Sequence, residues 1–184
     1  MIHRYSHYFS ARLAHNRWAA LILIGFVLAA LLGHGTVRSA ESFSGYPVPR
    51  FESLGATQVN VRAGPSKLHP IKWQYVRHGL PVEVMAETEE WRHIRDAHGF
   101  EGWVFHTLLD RQRTVLVTGD GTKRPIALRE QPDRAAPIVA VAEPGALIRL
   151  EECKQAWCML ASAEARGWVH RSLIWGAAAI GGAN

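Results

Sequence analysis

Val59-Asn60-Val61-Arg62-Ala63-Gly64-Pro65 opens a pattern that ends about forty residues later in Gly102-Trp103-Val104, with Gly79-Leu80-Pro81-Val82 and Glu90-Trp91 between. The same order of residues returns downstream. Val61-Arg62 falls on Leu128-Arg129, Pro65 on Pro132, and Gly79 to Val82 on Gly145-Ala146-Leu147-Ile148. Trp91 falls on Trp157, Gly102 to Val104 on Gly167-Trp168-Val169, and Leu108 on Leu173. The offset drifts only from 67 to 65 across the unit, which is the mark of a duplication. The first copy spans about 58–109 and the second about 124–174.

Each copy reads as all-β. Val59 to Arg62 alternates apolar and polar residues, and the turn formers Ala63 to Ser66 break the run. Leu80 to Met85, Trp91 to Arg95 and Phe100 to Phe105 follow as strands, separated by the turns Glu87 to Glu90 and Asp96 to Gly99. The second copy repeats this with Ala146 to Leu150, Trp157 to Ala161 and Gly167 to His170. Arg111 to Val117 reads as the last strand of copy one, running into the turn Thr118 to Thr122. Neither copy holds a helical stripe longer than about one turn. Short strands in so few residues bury little, so the expected solution is a five-stranded, partly open barrel, which covers one face and removes sheet edges. The domain boundaries follow: 58–118 and 122–175 as barrels, 41–57 as a spacer, 176–184 as a disordered tail. Phe43, Tyr46 and Phe51 are expected to tuck from the spacer onto copy one, and the short link is expected to keep the barrels packed or closely tethered.

Charge is unevenly placed. Residues 1–40 hold four of the 21 basic residues and none of the 16 acidic ones, so residues 41–184 carry a net charge of only +1. A nucleic-acid-binding domain concentrates basic charge on its folded part, and this chain does not. Arg4, Arg12 and Arg17 precede an uncharged run from Trp18 to Gly33, and Val37-Arg38-Ser39 offers a small-residue cleavage site before Ala40. This is an export signal, either cleaved or kept as an N-terminal hydrophobic helix in the membrane. Sixteen helical residues span about 24 Å, shorter than a roughly 30 Å hydrocarbon core, and bilayer thinning would let it serve as an anchor. The competing reading is a buried core helix. Export places the rest of the chain in the periplasm or another extracytoplasmic space. There Cys153 and Cys158, the two cysteines of the chain, stand at the neck of an expected hairpin and are expected to form a disulfide. Their spacing is not C-x-x-C, and no His pair lies beside them to complete a metal site.

The residues quoted at the outset resemble those of the bacterial SH3-like domain, an extracellular Src-homology-3-like barrel of envelope proteins. The second copy resembles the family's Cys…Trp-Cys variant at Cys153, Trp157 and Cys158, and departs from the pattern at 125–132, where no Gly follows Arg129. The resemblance implies two tandem SH3-like barrels and a binding role toward cell-wall peptide or another envelope protein. On physical grounds the recurring residues are structural. Gly79, Gly102, Gly145 and Gly167 suit turns or bulges. Trp91, Trp103, Trp157 and Trp168 add buried area to small cores, with a ligand platform as the alternative for Trp91 and Trp103. Arg62 and Arg129 are expected to cross the barrel end to backbone carbonyls.

Positions that differ between copies are the candidates for binding, because the shared fold does not demand them. His69, Trp73, Tyr75 and Phe105 belong to copy one alone. In SH3-like barrels the first long loop and the end of the last strand line the groove. Trp73 and Tyr75 alternate and so share a face, either as a ligand surface or as a cap on the barrel. Phe105-His106-Thr107-Leu108-Leu109 lacks the Pro and Tyr of the groove that reads PxxP peptides. His93, His98 and His106 lack the convergent spacing of a metal site. No nucleophile motif or phosphate-cradling glycine loop is present. The expectation is therefore a non-enzymatic binding module that uses no cofactor or metal and touches membrane only through an uncleaved leader. The alternative is a membrane-tethered scaffold or regulatory protein that docks on an envelope protein.

Overall fold

A computed structural model describes residues 42–177. The hydrophobic leader and residues 178–184, with the expectations that rest on them, lie outside the described residues. The described fold is all-β and consists of two seven-stranded sheets. In spatial order the first holds β3 (Ile71–Tyr75), β2 (Val59–Arg62), β6 (Glu101–Phe105), β5 (Trp91–Arg95), β4 (Pro81–Glu87), β1 (Arg50–Leu54) and β7 (Leu109–Asp110). The second holds β10 (Ile138–Ala142), β9 (Ile126–Arg129), β13 (Arg166–His170), β12 (Trp157–Ala161), β11 (Leu147–Lys154), β8 (Thr114–Val117) and β14 (Ile174–Trp175). Every strand of the first sheet has its counterpart seven strands later in the second, so the duplication seen in sequence is a duplication of topology.

Two assignments made from sequence change. Residues 50–54, expected in a spacer, form β1, which pairs with both β4 and β7 and closes the first sheet. Residues 114–117, expected to end copy one, form β8, which pairs with β11 and β14 and opens copy two. Each unit thus starts one strand earlier than the repeat shows. The reason is chemical: Glu52 and Ser53 are buried polar residues, so β1 carries no apolar alternation. Of the spacer aromatics, Phe43 is exposed, and Phe51 packs edge-on against Trp175 of the second barrel with centroids 5.0 Å apart. Ser53 Oγ lies 2.9 Å from Thr114 Oγ1, and Arg77 donates to the Gly145 carbonyl at 3.1 Å, so the barrels are in contact.

The cores are aliphatic. Leu54, Val59, Val61, Val84, Ile94 and Val104 fill the first, and Val115, Val117, Leu128, Leu160 and Val169 with Cys158 fill most of the second. Of the four recurring tryptophans, Trp91 and Trp168 are buried as expected from sequence, but none of the four joins either aliphatic cluster. Period-two alternation explains this: Val104 and Ile94 point inward, so Trp103 and Trp91 point to the other face of the sheet. There Trp91 stands opposite Phe105 and His93 opposite Trp103. In the second sheet Trp157 stands opposite His170 and Met159 opposite Trp168. Trp91 and Trp168 are buried on this outer face, whereas Trp103 and Trp157 are half-buried.

The recurring glycines divide by cause. Gly79 and Gly145 adopt φ of 76° and 86° in the turns before β4 and β11, a region that disfavours other residues. Gly102 and Gly167 sit inside strands, where a neighbour leaves no room: a Cβ on Gly102 would lie 2.4 Å from Val61 Cγ1. Arg62 donates to the carbonyls of Lys67 and His69 at 3.1 and 2.8 Å, and Arg129 to that of Ala136 at 2.6 Å. Each arginine pins the long loop after its own strand. Cys153 and Cys158 form a disulfide between directly opposed positions of β11 and β12. The equivalent register position in the first barrel is Glu87 opposite Arg92, an ion pair at 3.0 Å.

Candidate functional site

β3 is the edge strand of the first sheet, and its alternation puts Trp73 and Tyr75 on the inward face, half-buried against the aliphatic core. The rings meet edge to face at 6.0 Å, and Phe100 adds a third ring 6.1 Å from Trp73. The pair therefore caps the barrel, the second of the two readings open from sequence. Its polar end faces a cleft. The Tyr75 hydroxyl donates to Asp96 Oδ2 at 2.7 Å, while Asp96 Oδ1 accepts the backbone N–H groups of His98 and Phe100 at 2.9 and 3.0 Å. One carboxylate thus closes the β5–β6 turn and aims the phenol. Burial, followed by that hydrogen bond, raises the Tyr75 pKa far above its ordinary value, so the group remains a neutral donor.

The cleft encloses about 170 Å³. Leu80, Pro81, Val82 and Leu116 form its apolar walls, with Asp96 and His98 beside Tyr75 at the polar end. Leu116 comes from β8, so the cleft exists only where the second barrel meets the first. Pockets for small molecules run to roughly 300–1,000 Å³. This one is smaller.

The other two candidates lie elsewhere. Phe105 is on the outer face of β6, edge-on to Trp91 at 5.4 Å, with Lys67 Nζ 5.8 Å from its ring centre. His69 is exposed on the loop that carries Lys67, its ring laid over Gly64. Trp73 reaches toward Gly102 on the inner face of the same strand. Trp73 and Phe105 therefore lie on opposite faces of β6, with His69 apart from both on the loop. Asp96 and Leu116 were not singled out from sequence as binding residues. Asp96 reads there only as the start of a turn, and Leu116 comes from a strand assigned to the wrong barrel.

A second, polar cleft of about 290 Å³ lies beside the segment before β1, between Tyr46, Arg50, Arg92, His106 and Arg111. Its cations are largely engaged. Glu87 accepts Arg50 Nη2 at 2.7 Å, Arg92 Nε at 3.0 Å and the Ser44 N–H at 2.6 Å, and Arg111 stacks on and hydrogen-bonds Tyr46. Burial opposes the charge on Glu87, but the hydrogen bonds from Ser44 and Arg50 overcome it and hold the carboxyl down at about 2. Of the histidines, His93 lies 3.8 Å from Glu101 and rests on Trp103. Among the described residues no three His, Cys, Asp or Glu side chains converge as metal ligands.

The model of a family described as bacterial SH3 domain matches residues 55–110 and 122–176, one match per barrel. Among solved structures the chain is similar to NlpC2 from Trichomonas vaginalis at 12% identity and a TM-score of 0.33, covering 71% of this chain and 49% of that one. It is similar also to NlpC1 from the same organism at 13% identity and a TM-score of 0.32, covering 77% of this chain and 50% of that one. The chain spans about half the length of either. No curated protein sequence matches it.

Proposed function

Because the chain belongs to the bacterial SH3 domain family, whose members are typically binding modules, we propose that it is an exported, non-enzymatic binder of short peptide segments in the cell envelope. The observation that carries this reading is the cleft at Tyr75. It combines apolar walls with a phenol whose single proton is held by Asp96, so that its oxygen is left to accept a hydrogen bond from a peptide N–H. Bacterial SH3 domains commonly bind cell-wall or protein partners, and cell-wall peptide is the ligand class this reading favours. Export rests on the basic, then apolar, leader and on a disulfide of a kind that is common in oxidising spaces and rare in reducing ones.

The test is sedimentation of the full-length protein with purified peptidoglycan. Leu116→Lys puts a charge into the cleft from a half-buried position and leaves the first core untouched. Wild-type protein is expected to co-sediment, and Leu116→Lys to bind at least about tenfold more weakly, the equivalent of 1.4 kcal/mol. Equal binding by both would remove the cleft from the reading. No binding by the wild type, together with capture of one envelope protein, would replace wall recognition with the docking of a scaffold.

A further inference from the structure

Copy two shows the same fold without the polar end of the Tyr75 cleft. Tyr75, the last residue of β3, stands where β10 ends in Ala142, and Asp96 stands where the second barrel has Ser162. Ser162 serves the equivalent turn with its hydroxyl, so the turn itself does not need a carboxylate. Asp96 is half-buried at the cleft, and among the described residues it makes no ion pair. The neighbouring Arg95 is taken by Glu83 at 2.6 Å. Among the described residues no lysine or arginine lines the cleft, and its histidine, His98, is exposed, with its ring 6.5 Å from that of Phe100. The two oxygens of Asp96 are unequally used. Oδ1 accepts the N–H groups of His98 and Phe100, whereas Oδ2 accepts only the Tyr75 hydroxyl. A carboxylate oxygen accepts about two hydrogen bonds, so Oδ2 keeps one position open. The Tyr75 oxygen, 2.7 Å away, is an acceptor too, because its own proton is engaged. Around these two acceptors the walls are Leu80, Pro81, Val82 and Leu116.

The geometry points to a side-chain ammonium on an aliphatic stem as the group this cleft takes, as a lysine or another ω-amino residue of a peptide presents it. The inference rests on the cleft being the binding site and names the chemistry of its ligand. Two adjacent acceptors call for a group that only donates, and an ammonium has three N–H donors and no acceptor. One N–H meets Asp96 Oδ2, a second meets the Tyr75 oxygen, and the third is left to water. The carboxylate selects the charged group over a neutral amide, since it has no cation of its own and hydrogen bonds between ionised partners are the stronger kind. A guanidinium is the poorer match. Its planar fork seeks both oxygens of a carboxylate, and Oδ1 is already filled by two backbone N–H groups. The walls supply the rest of the argument. The methylenes of a lysine-type side chain lie along apolar surface while the head stays among polar groups, and an α-ammonium carries no such stem. Leu116 brings the second barrel into the site as one of those walls.

The test is an NMR titration of the full-length protein in mild detergent, methyl-labelled at leucine, with capped tripeptides acetyl-Ala-X-Ala-amide. X is lysine, Nε-acetyl-lysine, norleucine or arginine, and the methyl signals of Leu80 and Leu116 report on the cleft. The lysine peptide is expected to shift both signals saturably and to bind at least about tenfold more tightly than the other three. Asp96→Asn keeps the shape of the residue and is expected to erase that preference, with circular dichroism as the check on folding. The comparison of peptides on wild type decides the matter even if the variant does not fold. Norleucine, acetyl-lysine or arginine binding as tightly as lysine overturns the ammonium and leaves the cleft as the binding site. A folded Asp96→Asn that keeps the preference overturns it as well. No shift with any peptide overturns the inference, and the cleft then stands or falls on the sedimentation of Leu116→Lys. Sedimentation gives a second reading on the wall itself: wild type is expected to bind peptidoglycan less well after its free amines are acetylated. Equal binding before and after, with Leu116→Lys still impaired, keeps the cleft and overturns the ammonium.

Discussion

Replacing Glu87 with Gln keeps the shape of the residue and removes its charge. Its side chain is 1% exposed and holds Arg50, Arg92 and the Ser44 N–H together. Arg50 retains Glu52 at 2.7 Å, but Arg92 is left with backbone carbonyls. Two routes give the magnitude. Removing one partner of a buried ion pair costs about 3–5 kcal/mol. Lowering the carboxyl from 4.5 to about 2 corresponds to a contribution on the order of 3 kcal/mol. The sign follows from the folded value lying below the unfolded one. The contribution is complete above about pH 4.5, falls as the unfolded chain takes up protons, and is gone below about pH 2. At pH 3 about 2 kcal/mol of it is lost. Urea denaturation of wild type and Glu87→Gln at pH 7 and pH 3 is the assay. The expected gap is about 3 kcal/mol at neutral pH, narrowing to about 1 kcal/mol at pH 3. A gap under about 1 kcal/mol at pH 7, or one that does not narrow with acid, would show that Glu87 is not held as described.

Gly102→Ala puts a Cβ 2.4 Å from Val61 Cγ1 and 3.0 Å from the Arg62 carbonyl, so urea denaturation is expected to show a loss of about 2 kcal/mol or more. Asp96→Ser installs the residue of the second barrel, where Ser162 Oγ accepts the N–H groups of Glu164 and Ala165 at 3.2 and 3.1 Å. The turn should survive with a loss under about 1 kcal/mol, while peptidoglycan sedimentation, which needs an oriented Tyr75, should weaken. Gln155 has φ of 52° in the β11–β12 turn, and Gln155→Gly is expected to raise thermal stability by up to about 1 kcal/mol.

Much of the architecture was legible because the strands that carry the repeat alternate cleanly. Val59 and Val61, or Leu160 beside Cys158, are inward residues at period two, and such runs identify themselves. β1 escaped because its buried positions are polar. Ser53 is satisfied by Thr114, a residue 61 positions away in the other barrel, and no local pattern announces such a contact. The outward placement of Trp103 was open to inference from Gly102-Trp103-Val104 alone, since Val104 and its neighbour cannot share a face. Hydrophobicity suggested core, and geometry decided otherwise. The cleft was the least legible feature. Tyr75 could be singled out by its absence from copy two, but Asp96 and Leu116 reach it through a turn and a neighbouring barrel.

Glu87 opposite Arg92 and Cys153 opposite Cys158 occupy the same point of the β4–β5 and β11–β12 hairpins, and each closes the neck of its barrel's longest hairpin. One closure is an ion pair that acid releases, and the other is a covalent bond that acid leaves intact. The disulfide's small loop contributes about 2 kcal/mol by chain entropy, comparable to the ion pair at neutral pH. The two barrels should therefore fail in opposite orders. Hydrogen exchange at pH 3 is expected to lose protection in residues 81–105 first, whereas Cys153→Ser with Cys158→Ser at pH 7 is expected to lose it first in residues 147–170. If both treatments loosen both hairpins together, the barrels unfold as one cooperative unit. The contacts of Phe51 with Trp175 and of Ser53 with Thr114 would then outweigh the difference between the two necks.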